Sequence, residues 1–473
     1  MSVIARERPE RRRDLCAEVE GQRAKQAPSR YEIASVEERP PRNDSDKLMK
    51  IFLDTIGCRL NQAEIESLAR QFRAAGHEIV ASASQADLAV VNTCTVTSQA
   101  ASDSRAAIRR ARRLGVEGIA VTGCWATLEP GAAASLPGVT RIVPNLQKEG
   151  LAADLLGLPQ EFFDLEPLSR QPLPGLHART RAFVKAQDGC DNACTFCITT
   201  LARGASRSRP LEAILADVNA ALDGGTKEIV LTGVHLGSWG LDLNEPRRLS
   251  DLVAGLLGSV DIPRLRLSSL EPWDLDEDFF SLWENPRLCR HLHLPLQSGS
   301  AGVLKRMRRK TTPEAFAALV ALARAAIPEV AVTTDVIVGF PGETQAEFAE
   351  TLEFIRGLGF AGGHVFTYSA RPGTPAARMS GQVRHELRKE RNATLRAAFA
   401  DSAEAYRRKF LGKTLPVLWE STDQLSDSGW RLEGLTDNYL RVTAPAPEPR
   451  WNQVDEVTLE ELDADGLRGV IHK

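Results

Sequence analysis

"DGCDNACTFC", residues 188–197, sets Cys190, Cys194 and Cys197 in the spacing CxxxCxxC. Three thiols fall within eight residues and no fourth joins them. A structural zinc site is ordinarily closed by four ligands, often as two short pairs far apart. Neither Asp191 nor Asn192 is an obvious fourth ligand, and the nearest histidines along the chain are His177 and His235. Iron–sulfur clusters are held by thiolates, and three thiolates on a four-iron cube leave one iron open to a substrate or cofactor. A buried cysteine group or an incomplete zinc site is the plainer reading of the same run.

The run follows "RAFVKAQDG" (181–189), the first of six strand-like segments. The others are "EIVLTGVHL" (228–236), "RLRLSSLEP" (264–272), "RHLHLPLQS" (290–298), "VAVTTDVIVGF" (330–340) and "GGHVFTYSA" (362–370). Helical stretches lie between them, such as "PLEAILADVNAALDGG" (210–225) and "TPEAFAALVALARAAIPE" (312–329). Six βα units in succession predict an open parallel (β/α)6 barrel, a partial form of the eight-stranded one. The cysteines then occupy the loop after the first strand, where barrel enzymes carry chemistry.

Other residues gather at the same predicted mouth. Gly233 and Gly237 end the second strand and would let a backbone approach a ligand, or simply make a βα turn. Gln297 and Ser298 end the fourth. Asp335 interrupts an apolar strand, which is costly unless it is hydrogen-bonded or meets a ligand. Arg371, Pro372 and Gly373 form a rigid loop after the sixth. His291 and His293 alternate with apolar residues and read as core or loop-facing imidazoles, and Cys289 as structural.

Residues 1–48 are rich in Arg, Glu, Pro and Gln without apolar periodicity and read as a disordered extension that includes Cys16. Met49, just before the first strand, is an alternative start. From there α/β texture begins. "KIFLDTIGC", "ADLAVVNTC" and "GIAVTGC" read as strands ending in Cys58, Cys94 and Cys124. "NQAEIESLARQFRAAG" and the basic "SQAASDSRAAIRRARRLG" read as helices, and "TRIVPN" as a further strand. Ligands bind beyond the carboxyl ends of strands in open α/β sheets, so three such cysteines would converge on a second three-thiol site. Cysteines are also common in buried strands. A Pro-rich connector, "EPLSRQPLPGLHARTR" (166–181), separates residues 49–165 from a barrel domain at 176–408. Residues 411–473 change to short, turn-punctuated alternation and read as a small all-β barrel, an RNA-binding or a packing module.

The formal charge of −3 gives no global sign of nucleic acid. Local basic runs at Arg105–Arg113, at Arg203, Arg207 and Arg209, and at "KRMRRK" (305–310) are solvated faces or phosphate contacts. No apolar run approaches a membrane span, and the N-terminus lacks a signal-peptide core. Eight cysteines in 473 residues are too sparse for a secreted disulfide scaffold, so a reducing, cytoplasmic setting is expected.

The CxxxCxxC run, with Phe196 as the aromatic before its last cysteine, resembles the signature of the radical S-adenosylmethionine enzymes. The order of parts resembles the methylthiotransferases from residue 49 to the end, the C-terminal module being the TRAM domain of that family. The resemblance implies two [4Fe-4S] clusters, one on Cys190, Cys194 and Cys197 and one on Cys58, Cys94 and Cys124. It implies S-adenosylmethionine near Phe196, Gly233, Gln297 and Asp335. Catalytic residues beyond these are not assigned. One S-adenosylmethionine would methylate a sulfur at the second cluster, and another would give the 5′-deoxyadenosyl radical that abstracts hydrogen from C2 of an adenine. The base must leave its stack to reach such a site.

Family branches act on isopentenyladenosine in tRNA, on threonylcarbamoyladenosine in tRNA, or on an aspartate of ribosomal protein S12. "TIGCRLNQAEIE", "VNTCTVTSQA", "GCDNACTFCITTLARGASRSRP" and "EGLTDNYLRV" are most similar to the threonylcarbamoyladenosine branch. The implied partners are a tRNA anticodon stem-loop and an electron donor of flavodoxin or ferredoxin type. A non-catalytic iron–sulfur RNA-binding or electron-transfer protein, and a zinc-bound RNA-binding protein, stand as rivals. The N-terminal extension is a departure that the core motifs do not require.

Overall fold

The computed structural model describes residues 48–163, 171, 180–426 and 429–472. The extension, Cys16 and most of the connector lie outside the described residues. The N-terminal domain contains β1 (Lys50–Thr55), α1 (Arg59–Ala74), β2 (Glu78–Val80), β3 (Leu88–Thr93) and α2 (Ser98–Arg113). It continues through β4 (Gly118–Gly123), α3 (Cys124–Leu128), α4 (Pro130–Ala134), β5 (Val139–Val143) and α5 (Leu151–Leu156). All five strands pair in parallel, in the order β2-β1-β3-β4-β5. Central β3 and β4 are buried apolar runs because helices cover both sheet faces. Helix α1 buries Leu60, Ile65, Leu68 and Phe72 at helical spacing, and α2 is capped by Thr97, whose side chain accepts from Ala100 N at 3.1 Å. The strand order reverses between β1 and β3, the switch point where doubly wound sheets bind ligands. Cys58 follows β1 and Cys94 follows β3.

The second part opens with β6 (Arg181–Lys185), β7 (Gln187–Asp188), α6 (Thr199–Arg203), β8 (Arg207–Ser208), α7 (Leu211–Asp223) and β9 (Glu228–Thr232). Then come α8 (Leu249–Ser259), β10 (Arg264–Leu267), α9 (Glu277–Phe280), β11 (His291–His293), α10 (Ala301–Met307) and α11 (Pro313–Ala326). It ends with β12 (Ala331–Val338), α12 (Gln345–Leu358), β13 (Gly362–Thr367) and the long α13 (His385–Arg408). Parallel ladders join β6-β9-β10 and β11-β12-β13. Single parallel bridges, Leu265 to Leu288 and Ser269 to His293, connect the two halves. The six expected strands thus form one open parallel barrel. Among the described residues β6 and β13 do not pair, and α1 packs against β6 at that open side.

The C-terminal part is a closed five-stranded barrel of β14 (Thr414–Ser426), β15 (Gly429–Thr436), β16 (Arg441–Ala446), β17 (Val454–Asp463) and β18 (Gly466–Ile471). Val417, Trp419, Leu432, Val457 and Leu467 fill it. Its β15–β16 turn enters the lower end of the parallel barrel. Arg290 clamps Asp437 through two bonds of 2.6 and 3.0 Å, and Arg266 donates to the carbonyls of Thr436 and Asp437. Buried Glu228 holds Arg266 at 2.7 Å and Arg264 at 3.0 Å. No helix among the described residues is long and apolar enough to cross a membrane.

Candidate active site

Cys190, Cys194 and Cys197 lie on the loop between β7 and α6, all as free thiols. Gly189 precedes them at φ +70°, and a Cβ there would stand 1.8 Å from the Ala205 carbonyl oxygen. Only glycine admits that close approach. Gln187 braces the loop, donating to the carbonyls of Asp188 and Gly189 and accepting from His235 N. Gly233 packs on this glutamine, 3.0 Å from Oε1 for a Cβ built there. The residue thus packs against the glutamine that braces the cysteine loop.

Two buried cations face this centre. Arg309 donates to Cys194 Sγ at 3.8 Å, pairs with Glu271 at 2.7 Å and lies over the Trp273 ring. Burial raises the Cys194 thiol, and Arg309 pulls the other way. His235 pairs with Asp274 at 2.6 Å. Burial disfavours its charged form, but Asp274 and the Cys190 thiol outweigh that and push its pKa up to about 10. In its protonated form it suits thiolate charge.

Cys58, Cys94 and Cys124 form the second centre. Cys58 sits at the head of α1 rather than in β1, because the chain turns at Ile56 and Gly57. Gly57 has φ +107°, and a Cβ on it would stand 2.7 Å from Cys94 Sγ. Burial drives the Cys94 thiol up to about 11, with Cys58 and Cys124 adding to the rise. Cys58 borders open space, yet dehydration by its surroundings raises its thiol too, with Arg203 acting against it.

Barrel residues hold each of these cysteine loops. Arg203, buried, reaches Asn61 at 2.7 Å, Glu64 at 2.8 Å and Asp188 at 2.9 Å, and Cys58 Sγ donates to Asn61 at 3.7 Å. Arg371 bonds Thr95 and, at 3.3 Å, Ser98 beyond Cys94. Asn145 donates to Cys124 Sγ at 3.6 Å and to the Ala202 carbonyl at 2.8 Å. Lys148 completes the network on Glu64 at 2.7 Å. Arg203 and Arg309 are therefore enclosed in ion pairs, which corrects, for these two, the expectation of solvated faces or phosphate contacts. Arg109, Arg112 and Arg113 stay on the exposed face of α2.

A cavity of about 190 Å³ adjoins the first centre. Phe196, Cys197, Gln297, Asp335 and Phe366 line it, and Val96 joins them from the Cys94 loop. Three of the four sequence-derived cofactor residues thus meet beside Cys197. Gln297 has φ +73°, a strained backbone that function can require. Asp335 pairs with His293 at 3.3 Å through Oδ2 and leaves buried Oδ1 without a partner. A larger cavity, about 370 Å³, opens on the seam of α1 with β6, but its Glu64, Lys148 and Lys185 already pair and none of the six cysteines lines it.

The chain matches the Radical SAM superfamily model over residues 184–355 and the model of the uncharacterized protein family UPF0004 over residues 50–143. It is 38% identical over 431 residues to the threonylcarbamoyladenosine tRNA methylthiotransferase MtaB of Bacillus subtilis, covering 86% of this chain and 93% of that one. The chain belongs to the radical S-adenosylmethionine methylthiotransferase family. The MtaB of Thermotoga maritima is likewise 38% identical, over 78% of this chain and 86% of that one. The tRNA-2-methylthio-N(6)-dimethylallyladenosine synthase of Maricaulis maris is 32% identical, over 89% and 96%. In fold, the chain is similar to the radical S-adenosylmethionine methyltransferase TsrM of Kitasatospora setae, with TM-score 0.54 and 17% identity over 70% of this chain and 77% of that one.

With membership in this methylthiotransferase family come S-adenosylmethionine and two [4Fe-4S] clusters. The donor sets fit. Each centre offers three soft thiols, which suit iron–sulfur clusters. No group of His, Cys, Asp or Glu among the described residues closes tightly enough for a single metal ion, and a four-iron cube spreads its ligands wider. The orphaned Asp335 oxygen suits a polar cofactor group in the cavity. The family's enzymatic character removes the non-catalytic rivals. Sequence reading missed His235, Lys148 and Asn145 as neighbours of the centres, since only the folded chain brings them there.

Proposed function

We propose that this chain inserts a methylthio group at C2 of threonylcarbamoyladenosine next to the anticodon of tRNA, in the cytoplasm, using a flavodoxin- or ferredoxin-type electron donor. The observation that carries the choice of branch is the 38% identity to two threonylcarbamoyladenosine enzymes, against 32% to a dimethylallyladenosine one. In this reading Cys190, Cys194 and Cys197 hold the radical cluster, and Cys58, Cys94 and Cys124 the second. The bound groups supply one-electron cleavage of S-adenosylmethionine and the methylated sulfur. Phe196, Gln297 and Asp335 orient the cofactor, with Asp335 Oδ1 accepting a hydrogen bond. His235 and Arg309 balance thiolate charge, and the exposed rim residues Val96 and Phe366 exclude water beside the base. In the net change C2–H becomes C2–S, the hydrogen leaving in 5′-deoxyadenosine.

The test is anaerobic reconstitution, then reaction with S-adenosylmethionine, a reductant and tRNA carrying threonylcarbamoyladenosine. Nucleoside mass spectrometry should show a gain of one methylthio group. The same gain on isopentenyladenosine tRNA alone, or on the S12 aspartate, would move the chain to another branch.

A further inference from the structure

Below the cavity the barrel interior is polar and partly exposed: His291 is buried, His293, Thr333 and Tyr439 are half-buried, and His364 is exposed. His291 and His293 of β11, Thr333 and Asp335 of β12, and His364 and Phe366 of β13 project into it. Thr333 Oγ1 lies 3.0 Å from ring nitrogens of both His291 and His293. The His293 and His364 rings are 6.5 Å apart, and exposed His364 has no hydrogen-bond partner among the described residues. Tyr439, from the β15–β16 turn, forms the floor. Its ring stacks on His291 at 4.1 Å, and its backbone is left-handed at φ +66°, which is unfavourable for an aromatic residue and is imposed by the turn.

Arg59 enters this space from the N-terminal domain, one residue after Cys58, and donates to the Tyr439 hydroxyl at 2.9 Å. The surrounding cations have carboxylate partners: Arg264 and Arg266 have Glu228, Arg290 has Asp437, and Arg181 has Glu420. Asp335 meets His293 through Oδ2, and its Oδ1 belongs to the cofactor cavity. Arg59 pairs with no carboxylate among the described residues, and none of its nitrogens is sealed off without a partner. The half-buried guanidinium therefore presents N–H groups to solvent.

A guanidinium with open N–H groups recognises a carboxylate. The two modified adenosines named for the relatives differ in this respect. A threonylcarbamoyl group ends in a carboxylate beside a hydroxyl, whereas a dimethylallyl group is hydrocarbon and would strip water from Arg59 without replacing it. The substituent sits on N6, and N1 alone separates the carbon that bears it from C2, so both lie on one edge of the purine. A base with C2 at the cavity brings that substituent to the adjoining polar space, which runs from Asp335 through His293, Thr333 and His291 to Tyr439. We infer that Arg59, with the Tyr439 hydroxyl, forms a carboxylate subsite that selects the acidic N6 substituent. The inference rests on the proposed tRNA substrate and adds what distinguishes it.

The test uses reconstituted holoenzyme and anticodon stem-loop RNAs bearing adenosine, threonylcarbamoyladenosine or isopentenyladenosine. Binding and methylthiolation are measured for wild type, Arg59→Met, Arg59→Lys and Tyr439→Phe, with iron content as the control for the neighbouring Cys58. Arg59→Met should weaken binding of the threonylcarbamoyl RNA about tenfold or more, and leave the unmodified RNA within about twofold. Arg59→Lys should recover part of the loss, and Tyr439→Phe should show a smaller one. Equal weakening of all three RNAs would mean a phosphate contact or a structural role, and would overturn the inference, as would unchanged discrimination in both Arg59→Met and Tyr439→Phe. If Arg59→Met loses iron, Tyr439→Phe decides: retained iron with unchanged discrimination overturns the subsite. Wild type that modifies only the isopentenyl RNA would instead sink the substrate reading itself.

Discussion

Gly57 shows how little freedom the residues at the second centre have. A Cβ there would overlap Cys94 Sγ, on a backbone already at φ +107°. Gly57→Ala should therefore push Cys58 and Cys94 apart. The expected outcome is loss of about half the iron, since one of two clusters goes, with 5′-deoxyadenosine still formed and methylthio product abolished. Iron assay and product analysis check both parts. Arg203→Leu would strand Glu64 and Asp188 in the interior without their guanidinium. That should cost about 3–5 kcal/mol of stability, read as a lower midpoint in denaturant. The gathering of the cysteines into two groups was legible in the sequence because their spacing and strand-end positions are local. The roles of Arg203 and Arg309 were not, because a basic run reads as surface until the fold shows which members meet carboxylates. Gly233 shows a related limit: glycine marks a close approach, and only the fold shows that Gln187 is one of the groups that approaches.

At the scale of elements, the β15–β16 turn depends on Glu228. Burial alone would raise its pKa, but Arg266 and Arg264 outweigh that and hold it down to about 2. A carboxylate depressed on folding stabilises the protein above its ordinary pKa and loses that contribution as pH falls towards 2. The effect should be about 3 kcal/mol. Acid titration of stability should show it, and Glu228→Gln should be less stable at neutral pH with a flatter profile below pH 5, roughly the ordinary carboxylate range. The βα pattern of the barrel and the β alternation of the C-terminal part were readable from periodicity. The short β2, β7 and β8, and helices α3 to α5, escaped because two to six residues hold less than two turns or strand repeats. The insertion of a C-terminal turn into another domain has no sequence period at all.

For the whole molecule, all three second-centre cysteine loops are tied to the barrel, through Arg203, Arg371 and Asn145. Loosening one tie should separate the two half-reactions. Asn145→Ala, which frees the Cys124 loop from the Ala202 carbonyl, should keep S-adenosylmethionine cleavage and lower methylthio product about tenfold or more, because misplacing a reacting group by an ångström can cost a hundredfold. Measuring 5′-deoxyadenosine against modified nucleoside gives the ratio. Because the Arg203–Glu64 and Arg290–Asp437 pairs and the Arg59–Tyr439 bond cross the seams between the three parts, calorimetry of the iron-free protein should give one cooperative transition. The seam at Tyr439 has a historical consequence as well. A recombination event that traded the C-terminal module between family branches would trade the floor of the reaction chamber with it. Ancestry of that small barrel should therefore track substrate choice more closely than its distance from the cysteines suggests, and an engineered chimera would inherit both or neither.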